Sequence, residues 1–90
     1  MPQKVALIGA GLVGRGWAIA FARGGCDVVL YDPVAGAAER TRDAIPALVA
    51  ELAAVDLLNG RTADAVMARI RVADTLEAAL DGAGHVQENA

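Results

Sequence analysis

The apolar positions of this chain change their period at its glycines. Lys4 to Gly9 is a continuous apolar run stopped by a glycine, the pattern of a parallel strand buried on both faces. From Leu12 to about Arg23 the period becomes helical, with Val13, Trp17 and Phe21 at i, i+4 and i+8. Gly14, Ala18 and Ala22 form a second ridge at the same spacing. The small ridge predicts a helix backbone lying close on a sheet, and the bulky row predicts contact with one further neighbour. Gly24 and Gly25 close that helix, and "DVVLYD", from Asp27 to Asp32, reads as a second strand enriched in Val and Tyr. Strand, helix and strand within about 30 residues make one βαβ unit.

Beyond Pro33 a long helical stretch, "AGAAERTRDAIPALVAELAAVDLLNG", carries an apolar face of Ile45, Leu48, Leu52 and Val55. Pro46 cannot donate a backbone hydrogen bond, so a kink or two abutting helices are expected there. Asn59-Gly60 marks a turn, and Thr62 is placed to cap a short helix to about Ala68. "RIRVA", residues 69 to 73, alternates as a third strand near the sheet edge would. Asp74 and Glu77 have capping-box spacing for a short helix to Leu80, with Gly82 and Gly84 at its exit. "HVQEN", residues 85 to 89, is the last candidate strand. Strands alternating with helices define an α/β fold of the Rossmann type, a parallel sheet with flanking helices.

Composition narrows the setting. With 90 residues, 56% of them hydrophobic and only Trp17, Phe21 and Tyr31 aromatic, the core must be mostly Ala, Val, Leu and Ile. The net charge of −3, with its basic residues scattered, leaves no footprint for nucleic acid or for an acidic membrane surface, and both partners are discounted. One cysteine, Cys26, cannot form an internal disulfide, and the N-terminus has no signal-peptide pattern, so the cytoplasm is the default location. No apolar stretch reaches the ~20 residues of a spanning helix, and a soluble chain is expected.

Candidate chemistry concentrates in "GAGLVGRG". Gly9, Gly11 and Gly14 satisfy G-x-G-x-x-G, and the motif gains weight from a strand before it, a helix after it and Asp32 eighteen residues past Gly14 at the end of the next strand. The first glycine permits the tight turn, the second lets a pyrophosphate approach the backbone, and the third lets helix and strand close up. Free amides at Leu12 and Val13 would then bind the pyrophosphate with the help of the helix dipole. Asp32 would accept hydrogen bonds from the adenosine ribose. Its carboxylate repels a 2′-phosphate and Pro33-Val34 offers no arginine, so NAD is expected in preference to NADP. The plainer alternative is that the glycines serve turn and packing alone, with Asp32 capping the segment after Pro33. Gly16 costs about 1 kcal/mol against alanine in a helix, and close packing against a neighbouring segment is expected to account for it.

Other candidates carry less. His85, the only histidine, begins the last strand, about 10 Å from the carboxyl ends at ~3.3 Å per residue, and is read as structural. Cys26 is read as a small hydrophobe with no group to activate it. No serine is present, and no spacing of His, Cys and carboxylates resembles a metal site. Glu88 and Asn89 end the final strand, which should flank the first strand opposite the second, at the switch point of the sheet. Glu88 is open between a cap or surface carboxylate and a supporting role near the nicotinamide ribose; Asn89 joins it as a cofactor-site candidate.

"GLVGRGWAIAFARGGCDVVLYD" and "GAGHVQEN" resemble the N-terminal part of the 3-hydroxyacyl-CoA dehydrogenase family, most of all its lambda-crystallin and L-gulonate 3-dehydrogenase branch. The resemblance spans essentially all 90 residues, and the pairing of "GRGWA" with "HVQEN" is more specific than the glycine motif. It implies strand order 3-2-1-4, an NAD site on Leu12, Val13 and Asp32, and a parent that moves hydride from a 3-hydroxy group to NAD. It also implies that the catalytic histidine, its carboxylate partner, the substrate contacts and a helical domain for substrate and dimerisation lie downstream. Residues 1–90 are therefore expected to be the first part of a dinucleotide-binding domain, a fragment without turnover whose small-molecule substrate binds elsewhere. A stand-alone NAD-sensing module and a structural, crystallin-like role are the alternatives. Half a doubly wound sheet leaves its last strand edge bare, so a homo-oligomer formed through that edge is expected.

Overall fold

A computed structural model describes residues 3–89. Its elements are β1 (Lys4–Ile8), α1 (Gly11–Arg23), β2 (Asp27–Tyr31), α2 (Ala37–Ala54), α3 (Ala63–Met67), β3 (Ile70–Val72), α4 (Leu76–Leu80) and β4 (His85–Glu88). The four strands form one parallel sheet in the order β3-β2-β1-β4. The α/β class and the strand order are those expected. The first two strands each stop one residue short of the expected ends, because Gly9 and Asp32 turn away from the ladder at its carboxyl end.

β1 and β2 are buried on both faces, which is why they read as unbroken apolar runs. Val5, Leu7, Val28 and Leu30 point to one side, where they pack with Ala18, Ile19 and Ala22 of α1, Ile45 and Val49 of α2, and Val66 of α3. Ala6 and Val29 point to the other side, against Ala79 of α4. The large side chains thus lie under three helices and the small ones under a single short helix. Burying each large aliphatic contributes roughly 1.5–3 kcal/mol, so most of the stability resides on the first face.

The small ridge of α1 behaves as its spacing requires: Gly14, Ala18 and Ala22 are buried against the sheet. The bulky row does not. Val13 and Trp17 are exposed, and Trp17 stacks on Phe21, which in turn meets the ring of His85. Among the described residues this row faces no further element, so the expected neighbour is missing. Gly16 is a second correction. A Cβ there would meet nothing within 4 Å, so close packing does not account for it.

α2 runs unbroken through Pro46 rather than as two helices. The proline is exposed, so the Arg42 carbonyl it cannot serve lies toward water. Its buried stripe is Ala38, Thr41, Ile45 and Val49; Leu48 and Leu52 flank it, while Val55 lies past the helix end and is exposed, contrary to the face expected. Thr62 caps α3 as expected, its hydroxyl accepting from the Ala65 amide at 3.1 Å. For α4 the cap is Thr75, accepting from Ala78 N, and not Asp74 one residue earlier. Thr75 is the residue with extended backbone next to the first helical turn, which is where a cap must stand. Among the described residues no helix is long and apolar enough to cross a membrane.

Candidate functional site

The turn between β1 and α1 lies at the carboxyl end of the central strands, and three successive amides in it are already engaged. Gly9 N donates to the Tyr31 carbonyl at 2.8 Å, Ala10 N to Asp32 Oδ2 at 2.8 Å and Gly11 N to Thr41 Oγ1 at 3.0 Å. Gly9 and Gly11 have φ of 100° and 90°, in the region that side-chain-bearing residues avoid. First-turn amides of a helix lack acceptors within it. With that of Gly11 taken by Thr41, Leu12 and Val13 present theirs at the turn, their side chains 75% and 59% exposed. No acidic residue stands in the first turn of α1, so its positive dipole end is uncompensated.

Gly14 serves a different need. A Cβ on it would stand 2.6 Å from the Gly9 carbonyl oxygen, so only glycine lets helix and turn approach this closely. At Gly11, by contrast, a Cβ would meet nothing within 4 Å, leaving that face of the turn open.

Both oxygens of Asp32 are in use. Oδ2 accepts from Ala10 N, and Oδ1 accepts from Val34 N at 2.8 Å. These bonds, that from Ala10 first, hold the carboxyl below its ordinary range; the Arg40 charge adds to the effect and slight desolvation opposes it. Asp32 is therefore ionised throughout the neutral range. The capping role left open by the sequence is real, since Asp32 bonds the amide two residues on, and it coexists with a link to the glycine turn. A carboxylate has about four acceptor positions, so two remain for ligand hydroxyls.

Two grooves open from this centre. One, of about 320 Å³, lies between α1 and α2 and is lined by Gly11, Leu12, Arg15, Arg40 and Thr41. The other, of about 260 Å³, runs from Asp32 past Val34 to Ala73 and Asp74 beyond β3. Arg40 was not legible as part of the site. It stands eight residues past Asp32, and the turn of α2 brings its charge back to that carboxylate.

β4 pairs with β1 and delivers Asn89 to the same turn: its N donates to Ile8 O at 2.8 Å and its Nδ2 to Gly9 O at 3.1 Å, while Oδ1 is buried without a partner. Glu88, in register with Ile8, is exposed. The strand order reverses between β1 and β4, which is the switch point where open α/β sheets hold ligands. His85 lies at the opposite end of β4, in register with Val5. Cys26 is half-buried against the core, and the described residues hold no cluster suited to a metal. Thr41 escapes sequence reasoning, although a signal exists. It is the one polar residue on an otherwise apolar stripe of α2, but the apolar face read from the sequence starts only at Ile45.

Residues 4–90 match the model of the 3-hydroxyacyl-CoA dehydrogenase NAD-binding domain. The chain belongs to this family. Its cofactor is NAD, and the turn fits a dinucleotide: two presented amides, an uncompensated helix N-terminus and open space at Gly11. Among curated relatives of this dehydrogenase-family domain, an L-carnitine dehydrogenase of Oceanobacillus iheyensis is 37% identical over 97% of the chain and 27% of its own length. The lambda-crystallin of Oryctolagus cuniculus is 35% identical over 93% of the chain and 27% of its own length. A 3-hydroxybutyryl-CoA dehydrogenase of Escherichia coli superposes with a TM-score of 0.83 at 33% identity, over 98% of the chain and 18% of that protein. The chain thus spans about a quarter of the length of the curated relatives it matches.

Proposed function

We propose that this chain is the first part of the dinucleotide-binding domain of an NAD-dependent dehydrogenase that transfers hydride from a 3-hydroxy group to NAD. The substrate is a 3-hydroxyacyl-CoA or a small 3-hydroxy acid, the two classes to which 3-hydroxybutyryl-CoA and L-carnitine, in the names of its relatives, belong. The observation that carries the reading is the division of labour at the turn. Three amides are held by the protein, and Leu12 and Val13 are left for a diphosphate beside an ionised Asp32. Gly9, Gly11 and Gly14 shape that turn, Leu12 and Val13 bind the pyrophosphate, and Asp32 takes the adenosine ribose. Glu88 and Asn89, at the switch point, stand on the nicotinamide side.

No catalytic residue is assigned within the 90 residues, and substrate contacts and proton transfer belong to parts of a longer parent. The face carrying Val13, Trp17 and Val86 is where further strands of such a parent would add; the 90-residue chain alone is expected to self-associate there. A cytoplasmic location suits the single free thiol.

Calorimetric titration of the chain with NAD, ADP-ribose and NADP tests the reading. NAD and ADP-ribose should bind with similar affinity and NADP at least about tenfold more weakly, about 1.4 kcal/mol, because the Asp32 carboxylate opposes a 2′-phosphate. Turnover of 3-hydroxybutyryl-CoA or L-carnitine by the 90-residue chain, or no binding of NAD, would sink it.

A further inference from the structure

Among the described residues Thr41 is the one buried polar side chain, 8% exposed, and it sits on the sheet-facing stripe of α2 where Ala38, Ile45 and Val49 are its neighbours in the pattern. A hydroxyl in that position needs a reason. Its oxygen accepts from the Gly11 amide, thirty residues earlier in the chain. Gly11 is the residue of the turn with least else to hold it: it has no side chain, its φ is 90°, and a Cβ there would meet nothing within 4 Å. A glycine so placed has several backbone conformations open to it, and whichever it takes sets the direction of the next amides, those of Leu12 and Val13.

From this we infer that Thr41 is a positioning residue for the cofactor site: its hydroxyl selects the conformation of Gly11 and thereby aims the Leu12 and Val13 amides. Tyr31, Asp32 and Thr41 act as one strap, three points on the β2–α2 segment that hold three successive amides of the β1–α1 turn. The pyrophosphate and ribose subsites are thus mechanically joined, since Asp32 grips the turn as well as standing at the ribose position. Loss of Asp32 therefore loosens the turn too, and Thr41, which lies under the turn and not at the ribose position, separates the two effects.

The binding half of the test rests on the function proposed above; the exchange half does not. Amide hydrogen exchange of the full 90-residue chain, read by NMR without ligand, should show Gly11 protected at least about tenfold over Leu12 and Val13. In Thr41→Val, which keeps the shape and removes the hydroxyl, Gly11 exchange should accelerate about tenfold beyond any change at Leu7 and Leu30. The dissociation constant for NAD, measured well below the melting midpoint, should rise about tenfold. Thr41→Ser, which keeps the acceptor, should restore both. Equal protection of Gly11, Leu12 and Val13 in the unmutated chain overturns the inference without any variant. So does a Thr41→Val chain whose Gly11 exchange moves only in step with Leu7 and Leu30, or whose NAD affinity matches the parent chain's. A parent chain that binds no NAD removes the proposed function, while Gly11 exchange still decides whether Thr41 sets the turn.

Discussion

Gly14→Val should remove the cooperative melting transition of the chain or lower its midpoint drastically, with loss of NAD binding. A Cβ at position 14 would sit 2.6 Å from the Gly9 carbonyl oxygen, a backbone atom that cannot swing aside as a flexible side chain can. Valine adds two further carbons to that clash. Overpacking typically costs about 1–3 kcal/mol where neighbours can adjust. Here the adjustment must open the β1–α1 contact itself, in a domain small enough for that to be a large part of its total stability. Gly16→Ala is the matched control on the same helix. It meets nothing within 4 Å and recovers helix propensity of up to about 1 kcal/mol, which raises the midpoint of a domain this size by roughly 4–8 °C. Thermal unfolding followed by far-UV circular dichroism compares the two. Similar responses would remove close approach as the reason for glycine at position 14.

Asp32→Ala should weaken NAD binding about a hundredfold in calorimetric titration. The substitution deletes the two acceptor positions proposed for ribose hydroxyls, and hydrogen bonds to a charged group contribute about 1.5–3 kcal/mol each. It also frees the Ala10 and Val34 amides, so the pyrophosphate turn loosens at the same time. An unchanged affinity would take Asp32 out of the site. The pH dependence has a definite sign. Because the folded-state pKa of Asp32 is lowered, the stability its carboxylate contributes is present at all pH above the ordinary carboxylate range and is lost as pH falls below that range through the lowered value. From about pH 5 to pH 8 neither folding nor NAD binding should vary on account of Asp32. Acid melts of the parent chain and Asp32→Ala should therefore converge only at the low end.

Much of the architecture was legible because its signals are local. Glycine-bounded apolar runs mark strands buried on both faces, and Gly14, Ala18 and Ala22 at four-residue spacing mark the helix face that lies on them. Thr62 could be recognised as a cap because its bond is made three residues away. The same rule places the α4 cap one residue early, since Asp74 and Thr75 are both good caps and only the backbone conformation chooses between them. Spacing alone also assigns the bulky row of α1 to a neighbour and Gly16 to a close contact. Periodicity shows that residues share a face, not what lies opposite it, and opposite these the described chain has nothing.

The site divides along the same line. Gly9, Gly11, Gly14 and Asp32 follow from sequence, because a strand, a tight turn and a helix in succession leave few residue types able to occupy those positions. Which amides stay free for a diphosphate could not follow from it. That was decided by Tyr31, Asp32 and Thr41, which reach the turn only because β2 lies beside β1 and α2 packs against α1. On the other side Asn89 reaches Gly9 only because β4 pairs with β1. Sequence determined the strand, the turn and the charge at its edge, since those depend on neighbours in the chain. Tertiary structure chose the donors, since a hydrogen bond between residues thirty or eighty positions apart exists only once the sheet has brought them together.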